Sequence, residues 1–409
     1  MHESNFQCRR RLRSNLTKLH FFSIVSGALL LAPILVPFFQ DYGLNLTQIL
    51  WLQACFGLAV AALEVPSGYF SDTIGRKPAL VVGAFGITLG FSVFSIASGF
   101  WTLLLGELVL AVGWSFISGT NSALLYDTLV ELGEEENYAK VFGRHRSSAN
   151  FSEAGASILG AAIAVASIRL PALVQIGLYS LSIPIALSLV EPARQRFTNS
   201  AGPLAGIREI ALEAVALKRE VRLLIVLSGI VGTATLAMAW LSQPWLNFAG
   251  VPLVSFGLIW AALRITVGIS ALCASRIQKR LGFNGSVTLI LAILTTGFAL
   301  CAWKQAWWLV PAIATFTVVR GLAMVIFSEA INQHTGSDRR ATVLSLESLL
   351  CRLIFAPLAP LIGWIADAYS LGTAIGLSGL FFALTTTLTF RRLIAPRRRN
   401  ILTELPIRP

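Results

Sequence analysis

The feature that most constrains this chain is a series of apolar stretches, each long enough to cross a lipid bilayer. A membrane-spanning helix needs about 20 such residues. Only helices and closed barrels satisfy the backbone inside lipid, and stretches of this length and apolarity form helices. We therefore predict an all-α membrane protein with twelve transmembrane helices, at residues 19–40, 46–70, 78–98, 101–126, 147–168, 171–190, 222–247, 254–275, 285–303, 307–331, 342–366 and 371–390.

The charge of the chain fits a membrane protein better than a soluble or nucleic-acid-binding one. Only 13% of the residues are charged, compared with roughly 25% in soluble domains. The net charge of +12 comes mainly from Lys and Arg in the two tails and the even-numbered gaps between spans, whereas the odd-numbered gaps hold only Arg169 and Lys304. Basic residues concentrate on the cytoplasmic side of membrane proteins. We therefore expect both termini in the cytoplasm and no nucleic-acid partner.

One long polar interval, residues 191–221, divides the predicted spans into two sets of six. It contains an amphipathic helix, from Ile207 onward, that we expect to lie at the cytoplasmic face. The predicted organisation is a basic tail (1–18), an N-terminal six-helix half (19–190), the linker (191–221), a C-terminal six-helix half (222–390) and a second basic tail (391–409).

A short polar sequence between the second and third spans carries the most specific signal in the chain. Gly68, Asp72, Gly75, Arg76 and Lys77 occur in the pattern G-x-x-x-D-x-x-G-R-K. The glycines let the backbone turn or pack closely, and the two cations favour the inner side of a membrane. The pattern and its position resemble the loop 2–3 signature of the major facilitator superfamily of secondary transporters.

The resemblance covers nearly the whole chain and implies both a fold and a gate. Members of this family consist of two six-helix bundles related by pseudo-symmetry. The resemblance implies that Arg76 pairs with Asp127 at the end of span 4. It also implies that Asp72 faces the N-terminus of span 11 near Arg340, where the helix dipole favours an anion. These contacts would latch the cytoplasmic side of an outward-open state. In the alternative interpretation, Arg76 and Lys77 only fix the topology and Asp127 is a solvated helix end.

Three departures from the family pattern limit what the resemblance implies. Val109 in span 4 stands where drug–proton antiporters often carry an arginine, and residues 152–160 of span 5 lack a Pro and a Gly of the antiporter pattern. A second copy of the loop, at residues 271–280, keeps its basic pair but has Ala, Ser and Gln in place of Gly, Asp and Gly. Proton-coupled antiport is therefore weakened without being excluded, and we expect the first copy of the loop to be the one that gates.

Charged side chains inside the spans are the candidates for a substrate or proton site, because charge in lipid is costly and marks function. The acids lie in the first half and the arginines in the second, so opposite charges face each other across the cavity between the halves. The candidates for the lining of this cavity are Glu107, Glu153, Arg264 and Arg320. The further intramembrane charges are Glu64, which by the resemblance braces the loop, and Arg352.

These residues admit more than one role. A carboxyl group in an apolar cavity can carry a proton, and an arginine can bind an anionic group through two hydrogen bonds. Alternatively, the charges are structural pairs that hold the two halves together. Trp114 and Trp260 lie at mid-span depth and either stack on a planar substrate or pack in the core, and Asn121 is a further polar candidate in span 4.

The sequence contains no set of residues that indicates an enzyme. The four histidines are scattered, and neither a phosphate-binding glycine loop nor a G-x-S-x-G sequence occurs. The cysteines lack metal-ligand spacing. We therefore expect no catalytic residues, no cofactor and no metal, and an energy source other than ATP.

The sequence and its resemblance to this family therefore favour a secondary transporter of the inner membrane that works by alternating access, and the resemblance implies a monomer. The first hypothesis is export of a small amphipathic compound in exchange for protons, with the lipid bilayer as its surroundings. The close alternative is uptake or export of an anionic metabolite bound by the arginines. A hypothesis from another class is a membrane sensor or scaffold with the same fold, although a scaffold has no need for an intact gating loop.

Overall fold

The structure, a computed structural model, describes residues 2–193, 217–334 and 340–395. Within these ranges the chain is helical and contains no strand, which confirms the predicted all-α class. The helices are α1 (His2–Gly27), α2 (Leu35–Asp41), α3 (Leu46–Thr73), α4 (Arg76–Ser95), α5 (Phe100–Ile117), α6 (Thr120–Leu132), α7 (Tyr138–Ala164), α8 (Leu170–Ser180), α9 (Ser182–Ser188), α10 (Arg219–Phe248), α11 (Leu253–Trp303), α12 (Val310–His334), α13 (Arg340–Ala368) and α14 (Leu371–Ile394).

Each predicted span lies on one or two of these helices. Ten helical stretches of the described chain are long and apolar enough to cross a membrane. Helix α11 counts once among them, although Gly282, with φ of 67° and ψ of 177°, breaks it into two arms that match spans 8 and 9. Helix α7 is not among them because polar side chains such as Asn150 and Glu153 lower its mean hydropathy. It nevertheless has 27 residues, enough to cross the bilayer.

Span 4 is broken in the structure, whereas the sequence predicts one continuous helix. Helix α5 ends at Ile117 and α6 begins at Thr120, and Gly119 between them has φ of 78°, a left-handed conformation that favours glycine. Ser118 and Gly119 line a cavity. Non-helical backbone is tolerated at membrane depth where it faces a cavity rather than lipid.

The path of the chain gives the bundle two faces. The basic face carries the start of α1, the turn between α3 and α4, the turn at Gly282 and the end of α14. The opposite face, which we call the tryptophan face, carries exposed indole rings at the outer ends of several helices: Trp51, Trp101, Trp303, Trp307 and Trp364.

The helices form two groups, α1–α9 (the N-half) and α10–α14 (the C-half). The groups meet chiefly where α3 packs on α13 and where α7 packs on the first arm of α11. The predicted linker comprises residues 191–221, of which 194–216 lie outside the described residues, together with most of the predicted amphipathic helix. The last part of that helix is described and differs from the prediction: Leu217 and Lys218 are not helical, and Arg219 already begins α10.

The halves are packed tightly near the tryptophan face. A Cβ atom added to Gly363 on α13 would lie 2.7 Å from Thr47 Cα, and one added to Gly257 on α11 would lie 2.8 Å from Ile158 Cα. Asp367 accepts hydrogen bonds from the backbone N–H groups of Leu46 (3.2 Å) and Thr47 (2.7 Å). Backbone therefore meets backbone across this part of the interface.

The described residues show no such close packing beside the glycines nearer the basic face. A Cβ atom added to Gly68 on α3 or to Gly268 on α11 would have no described atom within 4 Å. A cavity of about 360 Å³ opens here between α1, α5, α6, α7 and α11. Among the described residues, the halves are thus in close contact at the tryptophan face, and a cavity lies toward the basic face.

Candidate functional site

A cavity of about 440 Å³ lies between the two halves. Its wall is mostly apolar and rich in aromatic rings, among them Phe56, Phe91, Phe94, Trp114, Trp240 and Trp260. It shares Leu29, Trp114, Glu153 and Arg264 with the cavity that opens at the basic face. Binding sites for small molecules have about this volume and this mixture of apolar surface and a few polar groups.

Glu107 is buried in the wall that the N-half contributes. It lies on α5 with 3% of its surface exposed, and Gln53 on α3 donates a hydrogen bond to its Oε1 atom at 2.7 Å. No cation among the described residues forms an ion pair with it. An acid inside a membrane span is a functional candidate by default, so Glu107 remains a candidate for the substrate or proton site.

Glu153 and Arg264 connect the two halves. Glu153 lies on α7 of the N-half, and Arg264 lies on α11 of the C-half. Both Nε (2.7 Å) and Nη2 (2.5 Å) of Arg264 contact Oε1 of Glu153. Trp260 donates its indole N–H to the same oxygen at 3.3 Å, and its ring lies 5.8 Å from Cζ of Arg264. Opposite charges from the two halves therefore meet across the cavity at Glu153 and Arg264.

Arg320 on α12 lines the cavity beside Arg264. Its side chain is exposed to the cavity, and it makes no hydrogen bond or ion pair with any described residue. Arg352 on α13 differs from it. One of its guanidinium nitrogens, Nη1, is buried without a hydrogen bond to the described residues, and it is not among the residues that line these cavities.

Of the remaining intramembrane candidates, Trp114 lines both cavities, Asn121 lines one of them and Glu64 lines neither. The ring of Trp114 is 39% exposed and lines both cavities. Asn121 lines only the cavity at the basic face, where it donates a hydrogen bond to Ser23 Oγ at 3.3 Å. Glu64 on α3 is exposed and does not line these cavities.

The loop with the family signature is held by ion pairs within the N-half. Arg76 contacts Asp72 at 2.6 Å and Asp127 at 3.2 Å, as the resemblance implied for Asp127. Gly75 makes the turn with φ of 151°. The carboxylate of Glu191 accepts the backbone N–H groups of Arg76 and Lys77, each at 2.7 Å, and so caps the start of α4.

Two other expectations for this loop have different outcomes. Gly68 does not turn the backbone, because α3 continues to Thr73, and no described atom lies within 4 Å of a Cβ atom added to it. The approach of Asp72 to the N-terminus of span 11 lies outside the described residues. Helix α13 begins at Arg340, but residues 335–339 and the side chain of Arg340 are not described.

The sequence analysis missed four polar residues that shape the site. Gln53 binds Glu107, Glu191 caps α4, and Asp367 joins the halves at the tryptophan face. Gln243 on α10 accepts the N–H of Val36 at 2.8 Å and donates to the carbonyl of Ala32 at 3.0 Å. Gln53 and Gln243 stand as isolated amides in apolar runs, which is the signal that could have identified them.

Comparisons with known proteins agree with this architecture. The sequence model of the Major Facilitator Superfamily matches residues 19–354. The class E tetracycline resistance protein of Escherichia coli is 30% identical over 104 residues, which cover 25% of this chain and 23% of that protein. The inner membrane transport protein YajR of Escherichia coli strain K12 is 30% identical over 105 residues, 26% of this chain and 22% of that protein. The chain thus spans less than a quarter of the length of either relative.

A longer match and two solved structures extend the comparison. The class G tetracycline resistance protein of Vibrio anguillarum is 22% identical over 295 residues, 69% of this chain and 72% of that protein. The nucleoside transporter NupG has a TM-score of 0.76 at 13% identity, over 94% of this chain and 100% of that chain. A bacterial homologue of the human lysosomal transporter Spinster, in an inward-facing and unoccupied conformation, has a TM-score of 0.69 at 14% identity, over 94% of this chain and 95% of that chain. At these identities the two structures show a common fold alone.

Proposed function

Because this chain belongs to the Major Facilitator Superfamily, we propose that it exports a small amphipathic compound across the inner membrane in exchange for protons. The family and the relatives are transporters rather than enzymes. The compound binds in the 440 Å³ cavity between the halves, where apolar and aromatic side chains surround a few polar groups. The protein acts as a monomer, with one such cavity between its two halves.

The observation that carries the proposal is the buried carboxyl group of Glu107 in the wall of this cavity. Its partner among the described residues is the neutral amide of Gln53, and no described cation balances its charge. A carboxyl group in such surroundings is suited to binding a proton in one state of the transporter and releasing it in another. Proton release and compound binding in the same cavity provide the coupling.

The conformation supports transport by alternating access. Among the described residues, the halves are in close contact at the tryptophan face, and a cavity lies toward the basic face. We place the basic face in the cytoplasm, because basic residues concentrate on that side. The structure then corresponds to an inward-open state. We propose that closure of this face brings the ion-paired loop of Asp72, Arg76 and Asp127 against the C-half and latches it.

The direction of transport is the part of the proposal that rests on relatives. The tetracycline resistance proteins that match this chain are named for resistance. Resistance by a transporter of this kind is most simply explained by export of the compound. Export driven by the inward proton gradient follows if Glu107 takes up its proton on the outer side.

The proposal is tested with purified protein in liposomes that carry an imposed pH gradient and a panel of dyes, drugs and organic anions. Wild type is compared with Glu107→Gln, which removes the titratable group, and with Asp72→Asn, which removes part of the latch. Glu136→Gln is the matched control, because Glu136 is exposed at the basic face.

Movement driven by the gradient in wild type and in Glu136→Gln that is abolished in Glu107→Gln and slowed in Asp72→Asn supports the proposal. Transport that is independent of the pH gradient and persists in Glu107→Gln contradicts the role of Glu107 as the proton carrier. It favours a uniporter or an anion carrier. If no compound moves, the scaffold hypothesis replaces transport.

A further inference from the structure

We infer that the transported compound carries a carboxylate or a similar anionic group, and that Arg264 and Arg320 bind this group in the wall of the cavity formed by the C-half. This inference rests on the proposed transport function and names the chemical class of its substrate. It rests on three features of the described residues: an arginine without a partner, a recess of suitable size, and an acid that occupies part of the site.

The first feature is the lack of a partner for Arg320. The side chain opens into the cavity, and no described residue forms a hydrogen bond or an ion pair with it. A guanidinium group stays charged at every physiological pH. A charge at membrane depth is costly unless an opposite charge or an acceptor satisfies it. An anionic group in the cavity supplies the missing partner.

The second feature is a recess of about 60 Å³ between α10, α11 and α12. Arg264 and Arg320 both line it. The hydroxyl groups of Thr235, Ser242 and Thr317 in its wall donate to backbone carbonyls of their own helices, so the two guanidinium groups are its donors to an anion. One water molecule needs about 10–15 Å³ measured in this way, so the recess holds a carboxylate or a phosphate but not a drug-sized molecule. Trp260 and the two arginines also line the large cavity, so the recess opens directly into it.

The large cavity accommodates the rest of such a molecule. Its opposite wall, in the N-half, carries the rings of Phe91, Phe94 and Trp114. With its acidic group between the arginines, a ligand extends its apolar part toward these rings. The combination of a cationic recess and an apolar, aromatic wall fits an amphipathic aromatic acid rather than a sugar or an inorganic ion.

The third feature is the position of Glu153. Two nitrogens of Arg264 contact one carboxylate oxygen of Glu153, so this side chain occupies Arg264 in the empty transporter. Glu153 balances the charge of Arg264, so the set of Glu153, Arg264 and Arg320 keeps one positive charge, on Arg320. An incoming carboxylate pairs with Arg320 and competes with Glu153 for Arg264. Because Glu153 and Arg264 belong to different halves, this exchange replaces a contact between the halves by a contact through the ligand.

The test compares an aromatic acid with a neutral molecule of the same shape. Binding of naphthoate and of naphthamide to the full-length protein in lipid nanodiscs is measured by titration calorimetry, with naphthyl phosphate as a third probe that distinguishes phosphate from carboxylate. The variants are Arg320→Gln, Arg320→Lys and the control Arg276→Gln. Arg276 lies on the same helix as Arg264 but is exposed at the basic face.

We expect wild type and Arg276→Gln to bind naphthoate about tenfold or more tightly than naphthamide. Arg320→Gln is expected to lose this preference while its binding of naphthamide stays unchanged, which also shows that the variant is folded. Arg320→Lys is expected to retain part of the preference, because a lysine keeps the charge without the paired donors of a guanidinium group. Glu153→Gln is expected to bind naphthoate more tightly than wild type does.

Three results overturn the inference: equal binding of the acid and the amide by wild type, a preference for the acid that persists in Arg320→Gln, and no binding of naphthoate at millimolar concentration. A preference for naphthyl phosphate over naphthoate moves the assignment from a carboxylate to a phosphate. The liposome assay is separate from this test. Transport of neutral or cationic compounds with no preference for acids leaves the transport function standing and removes only the anion site.

Discussion

The two halves of the bundle follow the same helical plan but carry different charges toward the cavity. The N-half buries Glu107 beside an amide in an apolar wall, whereas the C-half turns Arg264 and Arg320 toward the space between the halves. This difference indicates a division of tasks in the proposed mechanism. In our proposal, the N-half holds the exchangeable proton, and the C-half holds the charged end of the compound.

The loop at residues 68–77 and its second copy at residues 271–280 also differ in how their charges are paired. In the first loop, Arg76 is ion-paired to two acids, and Glu191 caps the helix that follows. In the second loop the helix continues through Arg276 and Arg280 and turns only at Gly282. Neither of these arginines forms an ion pair with a described residue. The cations alone therefore do not build the ion-paired turn, which needs the acid and the glycine that only the first copy has.

The largest effect is expected from Glu107→Gln, which tests the division of tasks. Accumulation of compound against its gradient falls to the level of protein-free liposomes, because no proton is exchanged. Counterflow, in which labelled compound exchanges for unlabelled compound without a pH gradient, continues at a rate close to that of wild type. Loss of counterflow together with accumulation would show that Glu107 binds the compound rather than the proton.

A large conformational effect is expected from Gly257→Val on α11. The added side chain meets backbone atoms of α7, and overpacking of this kind costs about 1–3 kcal/mol. The cost falls on the state that is closed at the tryptophan face, so the population open at this face rises about fivefold or more. We would measure it as the rate at which a maleimide, added from the tryptophan face, labels a cysteine placed at Leu35 in a cysteine-free background.

Gly268→Val on the same helix is the matched control for Gly257→Val. No described atom lies within 4 Å of a Cβ atom added to Gly268, so we expect that its substitution does not raise the labelling rate from the tryptophan face. Equal labelling of both variants would show that the tight contact between α7 and α11 does not keep this face closed.

A moderate effect is expected from Arg76→Gln, which tests the difference between the loops. The ion pairs of Arg76 are partly exposed, with 17% of its side chain and 23% of that of Asp127 accessible, so each contributes only about 1 kcal/mol. Their loss reduces the initial transport rate by about five- to tenfold. Arg276→Gln in the second loop reduces it by less than about twofold. Equal losses in the two variants would mean that both loops gate.

The smallest effect is expected from Glu153→Gln in the absence of compound. The substitution removes an ion pair between the halves but leaves an amide oxygen that can still accept the indole N–H of Trp260. Because Arg264 is 44% exposed, we expect a loss of about 1 kcal/mol or less. This appears as a decrease of a few degrees at most in the melting temperature. A much larger decrease would mean that the pair is mainly structural.

The sequence was sufficient for the helical plan because length and apolarity are properties of single segments. It also identified the pair of Arg76 and Asp127, through a family pattern. It did not reveal the break of span 4 at Gly119, because the apolar run continues through it and the break depends on the adjacent cavity. It did not reveal that Glu153 and Arg264 pair while Glu107 and Arg320 do not. Pairing depends on which side chains face each other, and composition does not fix this.

The central claim is that the two halves rock about the cavity so that the faces open alternately. We would measure distances between spin labels on two pairs of exposed positions, Ile74 with Arg276 at the basic face and Ile96 with Trp307 at the tryptophan face. A change from high to low pH is expected to shorten the first distance and lengthen the second, and Glu107→Gln is expected to abolish both changes. Distances that stay constant, or that change in the same direction at both faces, would contradict the account.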